Sequence, residues 1–144
     1  ALIEQRHMRM LRRSSSEDVP AEVKVVLGDS MGEMFAYYAA ADATFIGGSL
    51  LPFGGQNLIE ALAVGTPVLI GPHTFNFADA TRLAVAQGAS RRVQDADELV
   101  KVAQELLQDE AALAAMKAHG LDFVATHQGA TDKAIDLIGR HLSV

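Results

Sequence analysis

The 144-residue sequence contains no cysteine and no tryptophan, and only four of its residues are proline. Without cysteine there can be no disulfide bond and no thiolate metal site, which fits a reducing compartment. No apolar run approaches the roughly 20 residues of a membrane-spanning helix. The sequence also lacks a signal-peptide pattern, so we expect this chain to be soluble.

Positive charge is also scarce, because 12 lysines and arginines stand against 18 aspartates and glutamates, for a formal net charge of -6. This balance argues against a nucleic-acid partner or a polybasic membrane surface, although four arginines make residues 6–13 locally basic. With 49% hydrophobic residues the chain can bury a core, and its length predicts one domain over residues 1–144.

The segment 43–71 predicts a complete βαβ unit. A short apolar strand at 43–46 ends in two glycines, a glycine-rich loop follows, and a helix at 57–64 leads to a strand at 68–70. Glycines before a helix are expected to leave backbone N–H groups open to a phosphate. We therefore expect the function to lie in this loop.

Strands and helices alternate over most of the remaining chain. We predict further strands at 8–13, 23–27 and 89–93, and helices at 31–41, 77–87, from 95, at 110–126 and at 130–142. Ser30, Asn76 and Asp95 are the predicted N-caps, and Gly88 is a predicted C-cap. The alternation predicts an α/β fold, a Rossmann-like parallel sheet with helices on both faces and a helical C-terminal tail. Ligands bind such sheets at the carboxyl ends of the strands.

Two pairs of readings stay open from local pattern. Gly54, Gly55 and Asn57 fit a phosphate cradle or a turn with an N-cap, since no Walker lysine or complete dinucleotide motif is present. Glu60 lies one helical turn beyond Asn57 in an apolar helix. It could hold vicinal ribose hydroxyls, or it could be a solvated carboxylate.

Other polar residues at strand ends are weaker candidates. Ser30, Gly32 and Glu33 occupy a second strand-to-helix turn, where capping would explain them. His73 follows Gly71-Pro72 at a strand end, a better place for ligand contact than for burial. The five histidines show no metal-ligand spacing, so no metal site is expected.

Two stretches resemble a known family, GDSMGEM at 28–34 and FIGGSLLPFGGQNLIEALAVGTPVLIGPHTFNF at 45–77. They resemble the C-terminal domain of the 3-deoxy-D-manno-octulosonic acid (Kdo) transferases, GT-B glycosyltransferases that add Kdo to lipid A precursors. The GPHTFNF and GGS…GGxN…E blocks together are specific to that family, whereas GGxNxxE alone indicates GT-B transferases in general.

The resemblance implies that this chain binds the donor CMP-Kdo in the cleft between two Rossmann-like domains, with no cofactor. Glu60 would then hold the ribose hydroxyls, and Asn57 with the backbone of Gly54 and Gly55 would hold the phosphate. The remaining implied donor contacts are Ser49, Gln56, Met31, Gly32, Glu33, Pro72 and His73.

The resemblance also implies an inverting enzyme of which this chain is only a part. The sequence does not begin with Met, and we expect a fragment of a longer protein. The catalytic base and the site for the lipid A precursor would belong to the N-terminal domain. The full-length protein would act at the cytoplasmic face of the bacterial inner membrane, with membrane contact through that other domain. No residue of this chain is therefore expected to be catalytic.

Two positions depart from the family pattern, which has His at Gln56 and Pro at Ala61. Glutamine can donate a hydrogen bond but cannot titrate, so a proton-transfer role at Gln56 is in doubt. Two other functions remain open: a GT-B domain for a UDP-sugar, and a non-catalytic α/β binding module whose glycines serve only tight turns.

Overall fold

A computed structural model describes residues 2–127 together with Ile135 and Ile138. Most of the helix predicted at 130–142, and His141 with it, lies outside the described residues. The chain divides into two compact units, Ala1–Met34 and Phe35–Val144. The single domain expected from the length stays a prediction.

The first unit is built on two short parallel strands. Helix α1 (Leu2–Gln5) precedes strand β1 (Met10–Arg12), a 3-10 helix follows at Arg13–Ser15, and strand β2 (Val25–Leu27) pairs with β1 in parallel. The edge strand predicted at 8–13 and the strand predicted at 23–27 are thus both present, and each is shorter than expected.

The second unit contains a three-stranded parallel sheet in the order β3-β4-β5. Its strands are β3 (Thr44–Ile46), β4 (Val68–Ile70) and β5 (Ser90–Arg92). Its helices are α2 (Met34–Ala40, beginning at the last residue of the first unit), α3 (Ile59–Ala63), α4 (Ala78–Ala86), α5 (Ala96–Leu107) and α6 (Glu110–His127), with a 3-10 turn at Phe75–Phe77. The predicted α/β class is confirmed.

Both faces of this sheet are covered by helices. Val68 and Ile70 of β4 point to one side, into a core with Leu58, Leu62 and Phe123 from the helical layer. Alternation along the strand sends Leu69 to the other side, where it packs in a cluster with residues of α5 and α6 that includes Leu106 and Met116. All three residues of β4 are buried, as expected of a central parallel strand.

The helix starts show which capping signals hold. Asp95 caps α5 as predicted, because its carboxylate accepts a hydrogen bond from the Glu98 amide at 2.8 Å. Helices α2 and α3 begin later than predicted, at Met34 and Ile59. Gly120 lies inside α6 against Leu62, where a Cβ atom would be only 3.3 Å from Leu62 Cδ2. Close packing therefore explains a glycine that weakens the isolated helix.

Among the described residues, no helix has both the length and the apolar character needed to cross a membrane.

Candidate functional site

The loop between β3 and α3 folds back on itself and uses amides that were expected to be open. The Gly55 amide donates to the Gly48 carbonyl at 3.0 Å, and the Gln56 amide donates to the Gly47 carbonyl at 3.1 Å. The expectation that Gly55 offers an open N–H to a phosphate is therefore wrong for this conformation. In this conformation the Gly55 amide is engaged in closing the turn.

Asn76 fastens this glycine loop to the loop that follows β4. Its side-chain amide donates to the carbonyls of Phe53 and Gly55, at 3.2 and 3.3 Å, and its backbone N–H donates to the Gly54 carbonyl at 3.2 Å. A Cβ atom on Gly54 would overlap the Asn76 amide and the Phe75 ring, so only glycine fits there. The predicted N-cap role of Asn76 is wrong, because Phe77 occupies that position of α4 and no side chain caps it.

Ser49 also connects these two loops, through hydrogen bonds of its hydroxyl and its backbone carbonyl. It is fully buried, and its hydroxyl donates to the Ile46 carbonyl at 2.5 Å and accepts from the Gly71 amide at 2.9 Å. The Ser49 carbonyl accepts from the His73 amide at 2.9 Å. These contacts give Ser49 a structural role in holding the 71–73 segment, and they leave its hydroxyl inaccessible to a ligand in this conformation.

The 71–73 segment carries two of the expected donor contacts. Gly71 is buried, and a Cβ atom added to it would collide with the Ser49 carbonyl group, so no side chain fits there. Pro72 is half-buried, and His73 is exposed beyond it. The backbone is thus fixed while the imidazole remains free to meet solvent or a ligand.

Arg92, the last residue of β5, holds the same segment from the other side. One guanidinium nitrogen, Nη1, donates to the carbonyls of Gly71 and Pro72, both at 3.1 Å. Sequence pattern did not single out this residue. The signal that could have found it is a charged side chain at the end of a predicted strand. In the structure the neighbouring residues Ser90 and Val93 are buried.

Asn57 and Glu60 are brought together as their spacing predicted. The Asn57 amide donates to Glu60 Oε1 at 3.0 Å, while Asn57 Oδ1 accepts from the Ile59 amide at 3.0 Å. Asn57 therefore forms a side-chain turn just before α3 and is not part of the helix, whose N-cap position is occupied by Leu58 without a side-chain hydrogen bond. Since α3 has only five residues, its macrodipole is a weaker reason for phosphate binding than the predicted eight-residue helix suggested.

Glu60 is a half-buried carboxylate on an otherwise apolar helix, beside the fully buried Ala61 and Leu62. No described residue forms an ion pair with it, and none donates a hydrogen bond to Oε2. Tyr38 lies near enough to Glu60 for the two side chains to interact electrostatically. Burial raises the pKa of the Tyr38 phenol, and the negative charge of Glu60 raises that pKa further. One oxygen of Glu60 thus remains available to hydroxyl donors.

The first unit contains a separate polar turn after β2. Asp29 accepts hydrogen bonds from the Ser14 amide at 2.9 Å and the Ser14 hydroxyl at 2.8 Å, with Arg12 at 3.3 Å. The hydrogen bonds from Ser14 are the main reason that the pKa of Asp29 lies below its usual value. Asp29 thereby fixes the end of β2 to the end of β1.

Three predicted donor contacts, Met31, Gly32 and Glu33, belong to this turn. Glu33 accepts from Arg13 at 2.8 Å and from the Ser30 hydroxyl, so that Ser30 is bound to this carboxylate. Met31 is 96% exposed, and Gly32 has a φ of 80°, which favours glycine. Their role as ligand contacts stays a prediction.

Within residues 2–127, no group of three His, Asp or Glu side chains is arranged to hold a metal ion. His119 and His127 are exposed on α6.

Parallel strands, a glycine loop at their carboxyl edge and an acidic residue on the following helix are the parts of a nucleotide-binding α/β domain. Residues 4–122 match the model of one family, the Glycosyl transferases group 1, and the chain belongs to that family.

Its relatives are more specific. The chain is 48% identical to the 3-deoxy-D-manno-octulosonic acid transferase of Bordetella pertussis over 128 residues, which cover 88% of this chain and 30% of the relative. It is 34% identical to the enzyme of that name from Haemophilus influenzae over 142 residues, covering 98% of this chain and 33% of the relative. The chain therefore spans about a third of the length of these relatives, and the expected resemblance to Kdo transferases is confirmed.

A solved structure agrees with these relatives. The C-terminal CMP-Kdo binding domain of WaaA from Acinetobacter baumannii matches 85% of this chain, and the match covers 64% of that domain, with a TM-score of 0.81 and 30% sequence identity. This likeness confirms the C-terminal GT-B fold expected from the sequence.

Proposed function

We propose that this chain is the donor-binding part of an inverting glycosyltransferase that transfers Kdo from CMP-Kdo to a lipid A precursor in lipopolysaccharide biosynthesis. The observation that carries the proposal is the likeness to the CMP-Kdo binding domain of WaaA, which extends over most of the chain. The family match alone would leave the nucleotide open, since group 1 transferases are a broad class.

In this proposal Glu60 binds the ribose of CMP. Its Oε1 is held by Asn57 at 3.0 Å, which fixes the rotamer and leaves Oε2 to accept from a ribose hydroxyl. A carboxylate that accepts from hydroxyls forms charge-assisted hydrogen bonds, and such bonds are about twice as strong as neutral ones. The half-buried position beside an apolar helix face favours them further, because water competes less there.

We propose the other predicted contacts as further donor-binding groups. Asn57 would approach the phosphate, and the Gly54-Gly55 turn would border it without offering the Gly55 amide, which is engaged by Gly48. Gln56 would donate a hydrogen bond from its exposed side chain, and Pro72 and His73 would lie toward the sugar. Met31, Gly32 and Glu33 remain proposed donor contacts of the first unit. The base, the acceptor site and the membrane contact would come from the remaining part of a longer protein, as would placement at the inner membrane.

A nucleotide titration of the 144-residue chain, followed by amide NMR, tests the proposal. We expect CMP to shift the amides of Gly55 and Asn57 more than CTP or UDP does. A preference for UDP would contradict the Kdo assignment and favour a UDP-sugar transferase. A chain that responds to none of the three nucleotides would instead be a non-catalytic binding module.

The role of Glu60 has its own test, which compares CMP with dCMP. Wild type should bind CMP more tightly because dCMP lacks one of the two ribose hydroxyls. Glu60→Gln should weaken CMP binding roughly tenfold or more, since bonds to a charged group contribute about 1.5–3 kcal/mol, and it should abolish the preference over dCMP. Glu105→Gln, at an exposed carboxylate of α5, is the matched control and should change neither affinity. An unchanged preference in Glu60→Gln would remove Glu60 from the ribose site.

A further inference from the structure

The carboxyl edge of the sheet in the second unit is poor in positive charge. Residues 35–81, which carry the glycine loop, α3 and the 71–73 segment, contain no lysine and no arginine. They do contain the carboxylates of Asp42, Glu60 and Asp79. A donor that carries phosphate and carboxylate groups therefore meets a surface whose fixed charges repel it, unless a cation from elsewhere in the fold reaches this edge.

Arg92 is such a cation. It pairs in register with Ile70 at the end of β4, so its side chain starts beside the residue that immediately precedes Gly71. Its Nη1 atom is anchored on the carbonyls of Gly71 and Pro72 at 3.1 Å. The guanidinium is thereby fixed against the backbone that presents His73.

The charge of Arg92 is not neutralised within the described part of the chain. None of the ion pairs among the described residues includes Arg92, although Arg82 pairs with Asp79 at 3.6 Å and Lys101 pairs with Glu105 at 4.0 Å. The Nε and Nη2 atoms form no hydrogen bond with any described residue, and the side chain is only half-buried. A guanidinium has five N–H donors in a planar fork suited to two-oxygen anions, and most of these donors remain unused.

We infer that Arg92 is a ligand-binding residue that receives an oxyanion of the donor at this edge, and this inference rests on the function proposed above. Two groups of CMP-Kdo have this chemistry, the phosphodiester and the carboxylate of the sugar. Both accept paired hydrogen bonds from a guanidinium. Arg92 supplies the positive charge that the glycine loop and α3 lack.

The test compares Arg92→Gln with Arg91→Gln. Both variants remove one positive charge from adjacent positions of β5, but Arg91 is exposed and forms no ion pair or side-chain hydrogen bond with a described residue. Affinities for CMP and for free Kdo are measured by amide NMR titration at several salt concentrations. We expect Arg92→Gln to weaken at least one of them roughly ten- to a hundredfold, and to reduce the salt dependence of that affinity, relative to Arg91→Gln.

The two ligands distinguish the two anions. Loss of CMP affinity with Kdo affinity retained assigns the phosphate to Arg92, and the reverse assigns the sugar carboxylate. Arg92→Lys should recover part of the affinity and the salt dependence, because it restores the charge without the fork. A merely structural role would leave the salt dependence as in Arg91→Gln.

Affinities for CMP and Kdo that match those of Arg91→Gln within twofold would overturn the inference. That result would leave the proposed function intact, provided that wild type binds CMP and Glu60→Gln binds it more weakly. If wild type binds neither ligand, the proposed function falls and the role of Arg92 falls with it.

Discussion

Replacing Asn76 tests how the two loops of the candidate site are held together. The side-chain amide donates two hydrogen bonds, to the Phe53 carbonyl at 3.2 Å and to the Gly55 carbonyl at 3.3 Å. The first lies at the long end of the usual range for N–H···O bonds and the second just beyond it. Phe53 is exposed, so its carbonyl can turn to water when the donor is removed, whereas Gly55 is buried. We therefore expect Asn76→Ala to lower the free energy of unfolding by about 1 kcal/mol, near the average for one net hydrogen bond.

Asn76→Asp separates this role from helix capping. Aspartate is as good an N-cap as asparagine, because capping uses a side-chain oxygen as acceptor. The interaction seen here uses the side-chain nitrogen as donor, and a carboxylate would place negative oxygens against two carbonyl oxygens. We expect Asn76→Asp to cost about 2–3 kcal/mol, which exceeds the cost of the alanine variant because two acceptors are left unpaired and face a charge.

Urea unfolding at pH 7, monitored by circular dichroism, measures both variants against wild type. For a chain of this size a loss of about 1 kcal/mol corresponds to a decrease of about 2–4 °C in the melting temperature. The order of stability should be wild type, Asn76→Ala, Asn76→Asp. If Asn76→Asp equals wild type while Asn76→Ala does not, Asn76 acts as a cap and the assigned hydrogen bonds are refuted.

Two further substitutions test close packing and the polar turn of the first unit. Gly71→Ala should lower the free energy of unfolding in urea by about 3 kcal/mol or more, because its Cβ would collide with the Ser49 backbone. Gly47→Ala has open space around it and should change that free energy by no more than about 0.5 kcal/mol, so equal losses would contradict the geometry of this turn. The hydrogen bonds from Ser14 hold the pKa of Asp29 below its usual value, so the ionised carboxylate stabilises the folded state above that usual pKa, and this contribution is lost as the pH falls through the lowered pKa. Asn at this position cannot titrate, and the stability deficit of Asp29→Asn seen at pH 7 should shrink near pH 3; a deficit independent of pH would show that ionisation of Asp29 is not linked to folding.

Local sequence signals predicted correctly those strands and helices whose ends are marked by residues adjacent in the sequence. Strand β4 occupies the predicted Val68–Ile70 because an apolar run is enclosed by Gly65-Thr66-Pro67 and Gly71-Pro72. Helix α5 begins beside the predicted Asp95 because its capping partner is only three residues away. In both cases everything that fixes the element is adjacent in sequence.

Capping signals were misleading where the side chain could choose between several hydrogen-bond partners. Ser30, Asn57 and Asn76 are all typical N-cap residues, yet none of them is the N-cap of the helix that follows it, and α3 begins two residues later than predicted. Asn57 instead accepts from the Ile59 amide in a turn that precedes the helix. Ser30 donates its hydroxyl to Glu33, and Asn76 binds carbonyls 21 and 23 residues away. The residue type predicts that such a side chain forms a hydrogen bond with the backbone or with a nearby side chain, but tertiary contacts decide which partner it takes.

Tertiary hydrogen bonds also change what the glycine loop contributes to the candidate site. Its glycines were expected to expose N–H groups, whereas the Gly55 amide closes the turn onto Gly48 and Gly54 provides room for Asn76. With these groups engaged, the proposed binding of a nucleotide at this edge would depend on side chains, above all on the free oxygen of Glu60. Glutamine at position 56 is then a neutral hydrogen-bond donor and does not add the positive charge that a protonated histidine would. Because residues 35–81 have no lysine or arginine, binding of an anionic donor should depend strongly on positive charge from outside that stretch.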